Sequence, residues 1–427
     1  MKKLLVLFIG LLSMFLFACN KPVISQNSGY LFKDGLLAAQ KDGLWGYINK
    51  ENDVVIDFEY QWVSNFYDGE AIVLKNEVFD LIDVTGKSVL DKTYEDLFRD
   101  ANTGNIKFVE NNLSGLMDNN GKIILEATYG SIGDFNEDRA VVKKDNKFGY
   151  IDEEGKLVVE CKYKYALRYS QGLAQVSTAG VTFGYINLDG ELVFPEIYTY
   201  GSVFNDYGQV IVSSSSDLQN GVYQLVDNEG TILLEHSSRI YGKGPLYYLV
   251  DDGLYYLYDT TGQKFVETGF DKVLSTDGYT VRIGGDDQSI TDILYGEDKK
   301  EKARVTYPNG RSIVLYIDGE ETVGLVVYGE NEITVHYSGQ HFTVPGERIM
   351  PWIDNGKIVV IKDELMGISN LDGTLELDYQ YDFIYYQKDG FYLVSLDDSW
   401  GVIDEDYEIV IPLEYQRLNS QLNIPKI

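Results

Sequence analysis

The chain has 427 residues, a formal net charge of −31, 34 Tyr, 42 Gly and only 8 Pro. That length holds two or three ordinary domains or one large repeat array, and the scarcity of proline excludes a Pro-rich disordered chain. The charge repels nucleic acid and anionic lipid headgroups at long range, so cationic partners or divalent ions are electrostatically easier, and it keeps a long surface soluble.

In chain order, Lys2 and Lys3 precede an apolar run from Leu4 to Phe17. This is the length of a signal-peptide core and is short for a transmembrane helix. It ends at Leu16-Phe17-Ala18-Cys19. That segment resembles a bacterial lipoprotein lipobox, with Phe17 standing where a small residue is usual. The resemblance implies lipidation of Cys19, which would become the mature N-terminus; a plain secretory signal and an uncleaved anchor are the other readings. Two acyl chains hold a protein firmly at a membrane where one does so only marginally. Cys161 is the other cysteine. With Cys19 lipidated it has no partner, the fold rests on its core alone, and its strand-like setting suits a small buried hydrophobe. Asn20 to Ser28 reads as a flexible tether.

From Gly29 onward a five-residue word recurs: Trp45-Gly46-Tyr47-Ile48-Asn49, Phe148-Gly149-Tyr150-Ile151-Asp152, Phe183-Gly184-Tyr185-Ile186-Asn187, Met366-Gly367-Ile368-Ser369-Asn370 and Trp400-Gly401-Val402-Ile403-Asp404. Looser copies start at Phe79, Ser114, Tyr223 and Tyr255, and most steps are 34 or 35 residues. Fifteen residues after the first letter stands an aromatic: Tyr60, Tyr94, Tyr129, Tyr163, Tyr198, Phe270, Tyr381 and Tyr415, with Ser238 the exception. Each unit predicts the word as a strand, a Gly-containing turn such as Glu153-Glu154-Gly155, an apolar strand such as Lys156 to Val159, a looser stretch with a second aromatic (Phe66, Phe135, Tyr169, Phe204), and a third strand such as Ala174 to Ser177.

The repeated aromatic-Gly-Tyr-Ile-Asp word resembles the bacterial WG (or KWG) β-repeat, over roughly Gly29 to Asp287 and Asp354 to Pro412. The resemblance implies an all-β repeat structure, usually without an assigned catalytic activity. The expected fold is therefore all-β, with tandem ~35-residue three-stranded repeats in a β-propeller-like arrangement. Blades of that length would have three strands or a borrowed fourth; an open β-solenoid or superhelical array is the competitor. The expected divisions are 1–19 signal, 20–28 tether, 29–288 repeats, 289–349 inserted β-meander or degenerate repeat, and 350–427 repeats with a C-terminal cap. Insertions in repeat proteins map to one face, often the binding face.

Every position of the word has a structural use. The aromatics are core pieces, the Gly permits close approach, and the terminal Asp or Asn bonds turn amides. His236, His336 and His341 lack the ligand set of a metal site. Turn carboxylates at Asp118, Asp152, Glu154, Asp189, Asp227, Glu229 and Asp372 read as turn formers rather than calcium ligands, since none opens a twelve-residue loop with a closing Glu. There is no Gly-x-Ser-x-Gly elbow and no phosphate loop. No catalytic residue, metal ligand or cofactor site is assigned.

These readings lead to a non-enzymatic, lipid-anchored extracytoplasmic scaffold on the outer side of the cell membrane, binding a protein or glycan partner, with no nucleic acid and no obligate oligomer. An envelope enzyme acting on glycans through cleft carboxylates and a structural spacer are the alternatives. An enzyme requires polar residues that break the repeat consensus and converge in one cleft. A binder requires an exposed aromatic patch, most plausibly on the insert.

Overall fold

The computed structural model describes residues 31–217, 221–285, 289–307, 311–317, 320–328, 332–337, 340–387 and 389–419. Cys19, the signal-like segment and the tether lie outside the described residues. Among those described, regular structure is β-strand, arranged as tandem small antiparallel sheets, mostly of three or four strands. The all-β, propeller-like reading holds.

The sheets are out of phase with the word. In the sheet built from Ser131–Ile132, Ala140–Lys144, Lys147–Ile151 and Leu157–Tyr163, the word is the third strand. The first two strands come from the stretch that follows the preceding word. The fourth strand is thus borrowed, and it is short: Ser131–Ile132 makes two register pairs, with Lys143 and Val142. Tyr165–Ala166, Leu173–Ser177, Phe183–Asn187 and Leu192–Tyr198 repeat the plan.

The fifteen-residue spacing is a hairpin register. Trp45 lies opposite Tyr60, Phe148 opposite Tyr163, Phe183 opposite Tyr198, Met366 opposite Tyr381 and Trp400 opposite Tyr415. In each hairpin the register shifts between the first and third letters, which is a β-bulge in the outer strand. The bulge drives a backbone carbonyl onto the word's glycine. A Cβ at Gly149 would stand 2.4 Å from the Val159 oxygen, and one at Gly46 or Gly184 would stand 2.5 or 2.4 Å from the Ile56 or Phe194 oxygen. The exception proves informative. Tyr223 pairs with His236, thirteen residues on, and Tyr223 through Leu225 run opposite His236 through Leu234 without a shift. Without a bulge at that point no carbonyl intrudes, and Gln224 replaces the glycine.

The word's tyrosine ties one sheet to the next. Tyr47, Tyr150 and Tyr185 are fully buried, and their hydroxyls donate to the carbonyls of Ser64, Leu167 and Ser202 at 2.7, 2.8 and 2.8 Å, each seventeen residues ahead. Their rings meet the second aromatic edge-on or tilted, with centroids 4.7 Å apart for Tyr47–Phe66, 4.8 Å for Tyr150–Tyr169 and 5.3 Å for Tyr185–Phe204. Burial raises all three phenols well above their usual range, so they stay neutral donors.

The two ends of the array share a sheet. Leu37–Lys41 pairs with Arg417–Leu418, through Ala39 opposite Leu418 and Gln40 opposite Arg417. The C-terminus thereby supplies the short strand that the first sheet lacks. Leu31, Phe32 and Leu37 join one apolar cluster with Trp400, Ile411 and Leu418. The Tyr415 hydroxyl donates to Asn52 at 2.7 Å, and Asn65 donates to Asn419 at 2.9 Å. An end-to-end pairing of this kind fits a propeller-like array and has no place in an open one.

Within 289–349, Ile290–Tyr295 and Glu301–Tyr307 complete a four-stranded sheet with Val273–Asp277 and Thr280–Gly284. Arg311–Ile317, Glu320–Tyr328, Glu332–Tyr337 and Gln340–Pro345 form a meander. Its first strand pairs in parallel with Arg348–Asp354. Val326, Ile333 and Val335 share a core with Ile353, Ile358 and Val360.

Candidate functional site

Four turns occupy equivalent positions in four of the repeats: Lys33-Asp34-Gly35-Leu36, Tyr67-Asp68-Gly69-Glu70, Asn136-Glu137-Asp138-Arg139 and Ser170-Gln171-Gly172-Leu173. Each closes on a bridge between its outer residues and has both central residues at positive φ, the hairpin geometry that favours Gly at the second position. Gly35, Gly69 and Gly172 take φ of 81°, 89° and 79°; Asp138 replaces the glycine at φ 60°. A non-glycine residue there carries a conformational cost of about 1 kcal/mol.

Beside Asp138 lies a cleft of about 400 Å³, lined by Asn102, Thr103, Phe135, Asn136, Glu137, Asp138, Glu153, Arg168, Tyr169 and Ser170. Most of its wall is fixed by hydrogen bonds. The buried Asp100 carboxylate accepts from the amides of Asn102 and Thr103 at 3.1 Å and of Phe135 at 2.9 Å, with Lys107 at 3.5 Å. Asn102 donates to the Phe135 carbonyl at 2.5 Å. Glu137 accepts from the amides of Gln171 and Gly172 at 2.6 and 2.8 Å, clamping the next repeat's turn. Ser170 donates to the Phe204 carbonyl, and Tyr169 to the Asn187 carbonyl, each at 2.8 Å.

Three charged groups are left to face the cleft. Glu153 is half-buried; that burial raises its carboxyl pKa, and the adjacent Asp138, by its charge and a side-chain hydrogen bond, raises it further. Arg168 is exposed and, among the described residues, forms no ion pair within 4.0 Å. Asp138 departs from the repeat by replacing the turn's glycine. Glu153 has a counterpart in Glu405 after Asp404, where other copies carry Asn119, Leu188 or Asn228, and Arg168 precedes the second aromatic where others carry Asn65, Asp134 or Val203.

The word-ending acids and amides serve the turns. Asp118 accepts from Asn120 and Lys122 at 3.0 and 2.9 Å, Asp152 from Lys156 at 2.8 Å, and Asp227 from Glu229 and Thr231 at 3.1 and 2.7 Å. Asp372 accepts from the Thr374 amide at 2.8 Å. Asp189 and Glu229 stand inside such turns and donate their amides to Asn187 and Asp227, and Glu154 occupies the same turn position after Asp152. His236 accepts the Ser238 amide at 2.9 Å, while His336 and His341 stand opposite each other in the meander's hairpin. Cys161 packs at the edge of the cluster containing Tyr129 and Ile151, where burial pushes its thiol pKa up. The exposed aromatics among the described residues include Trp62, Phe98, Tyr165, Tyr207 and Tyr241, all outside 289–349. Sequence reasoning missed Asp138, Glu153 and Arg168; the signal it could have used was the loss of glycine from the third turn.

The family described as "WG containing repeat" matches at residues 45–79, 115–148, 148–180 and 400–420. At these four places the chain carries WG-containing repeats. The cleft lies across the two adjoining matches, 115–148 and 148–180, with Asn102 and Thr103 just before them. No protein of curated description matches the chain. Among solved structures, a eukaryotic initiation factor is similar at TM-score 0.42 and 10% identity, covering 90% of this chain and 96% of that one. Kluyveromyces lactis Hsv2 is similar at TM-score 0.28 and 13% identity, covering 56% and 95%. PorZ of Porphyromonas gingivalis, a surface component of the type-IX secretion system, is similar at TM-score 0.22 and 10% identity, covering 88% and 67%.

Proposed function

We propose that this WG-repeat chain is a non-enzymatic binding scaffold, held by lipid on Cys19 at the outer side of the cell membrane, and that the cleft between the 115–148 and 148–180 repeats is its binding element. One observation carries the reading: the word's own side chains are consumed by packing and turn bonds, whereas Asp138, Glu153 and Arg168 gather in one cleft, with Asp138 in place of the turn's glycine. Asp138 stands there at positive φ, as Glu77, Asn112, Asn146, Glu364 and Asp398 do in other turns.

The same convergence favours a second reading, an enzyme working through cleft carboxylates. Glycoside hydrolysis places its two carboxyls about 5–9.5 Å apart. Asp138 and Glu153 line the same cleft and Asp138 raises the Glu153 pKa, so release of reducing ends is the measurement that separates the two readings.

Replacing Asp138→Gly tests the scaffold reading. It restores the turn's consensus and should leave the fold intact, raising stability by about 0.5–1 kcal/mol while removing ligand retention. Release of new reducing ends from envelope glycans by the wild type, lost in Asp138→Gly, would replace the scaffold with the enzyme. For the anchor, radioactive palmitate should label the wild type and fail to label Cys19→Ala; equal labelling would overturn it.

A further inference from the structure

We infer that the cleft binds a small zwitterion of the free α-amino acid class, its ammonium on the Asp138–Glu153 carboxyl pair and its carboxylate on Arg168. This rests on the reading of the cleft as the scaffold's binding element and adds the chemistry of what enters it.

The geometry has three parts. The first is size. About 400 Å³ is near the lower end of ligand pockets, enough for one amino acid and cramped for an oligosaccharide. The second is rigidity. Asp100, Asn102, Glu137, Tyr169 and Ser170 have their polar atoms committed to backbone groups of the next repeat, so the walls are set before a ligand arrives. The third is the unspent charge. The two acids and the guanidinium line one cleft, yet among the described residues Arg168 pairs with no carboxylate within 4.0 Å. Opposite charges held apart across a cleft are complementary to a ligand whose own charges are held apart. Glu153, half-buried, and the exposed Asp138 are like charges lining one cleft, and a cation relieves their repulsion. Arg168 presents a planar fork that suits a carboxylate. A neutral sugar would leave both unpaired, and a simple cation would leave Arg168 idle.

The test is calorimetric titration of the mature full chain with each of the twenty free L-amino acids, and with N-acetyl and carboxamide forms of any that bind. At least one free amino acid should bind with a Kd below about 5 mM, and capping either end should weaken it tenfold or more. Arg168→Gln should abolish the preference for a free carboxylate, and Asp138→Asn the preference for a free ammonium. Arg168 is exposed, so its variant should keep the wild-type unfolding midpoint, which separates lost binding from lost fold. No free amino acid binding below 5 mM, capped forms binding equally well, or unchanged affinity in Arg168→Gln would each overturn the inference. Binding of a different ligand class that still depends on Asp138 and Arg168 would overturn the zwitterion and leave the scaffold standing. Chemical turnover of the ligand would overturn the scaffold itself.

Discussion

Gly149→Ala is the sharpest probe of why the word contains glycine. Gly149 does not occupy the positive-φ region, so the effect must come from space. The new Cβ would stand 2.4 Å from the Val159 oxygen, 2.8 Å from the Cys161 nitrogen and 2.9 Å from the Glu160 carbonyl carbon. The first contact is roughly 0.9 Å short of the ~3.3 Å at which carbon and oxygen ordinarily meet. All three atoms are backbone, so no side chain can swing aside. Relief requires opening the bulge between the Phe148–Tyr163 and Tyr150–Val159 pairs. Overpacking costs about 1–3 kcal/mol, and loosening the flanking ladder adds about 1 kcal/mol, so the expected loss is about 2–4 kcal/mol. Gln224→Ala is the matched control. Position 224 occupies the same place in a hairpin without a bulge there, and an alanine there meets no carbonyl and loses only the Gln224 bond to Glu235 at 2.6 Å, so it should cost under about 1 kcal/mol. Repeat arrays can unfold in parts, so the assay is native-state hydrogen exchange at Tyr150 and Val159 beside urea unfolding. A Gly149→Ala chain within 0.5 kcal/mol of wild type would refute the reasoning.

Tyr150→Phe removes the part-buried bond to the Leu167 carbonyl; urea unfolding should show a loss of about 1 kcal/mol, with the ring contact to Tyr169 kept. Glu376 accepts from Lys357, the Tyr407 hydroxyl and Asn370 at 2.8, 2.6 and 2.7 Å, which lower its pKa from 4.5 to about 2. A depressed carboxyl stabilises the fold above its unfolded pKa and loses that contribution as pH falls through the folded one. The stability gap between wild type and Glu376→Gln should therefore be full above pH 4.5 and close as pH falls toward about 2; a gap unchanged across that window in urea melts would contradict the linkage.

Much of the fold was legible because a period of 34 or 35 residues repeats each physical constraint. The fifteen-residue aromatic pairing needed only counting, and it is a hairpin register. Its exception at Ser238 was visible, but its cause was not, since a missing bulge leaves no residue of its own. The short fourth strand was hidden because two residues, such as Ser131–Ile132, carry no alternation to read. The seventeen-residue tyrosine bond ends on backbone carbonyls, which every residue has. The cleft was least legible. Its lining comes from three successive repeats, from Asn102 to Ser170, and its charges look like ordinary surface charges until the fold brings them together. The turn acids were read correctly from local chemistry, because an Asx turn is complete within five residues, as Asp152 and Lys156 show.

The account depends most on an array whose ends join. Gln40 and Arg417 stand directly opposite each other between the first full strand and the last short one. In a chain starting at Gly29, with Cys161→Ser, the pair Gln40→Cys and Arg417→Cys contributes the only two thiols. Mild oxidation should join them within one chain, giving a faster-migrating species on a non-reducing gel and a higher unfolding midpoint that falls back on reduction. Free thiols after oxidation, or cross-links only between chains, would contradict the closed array.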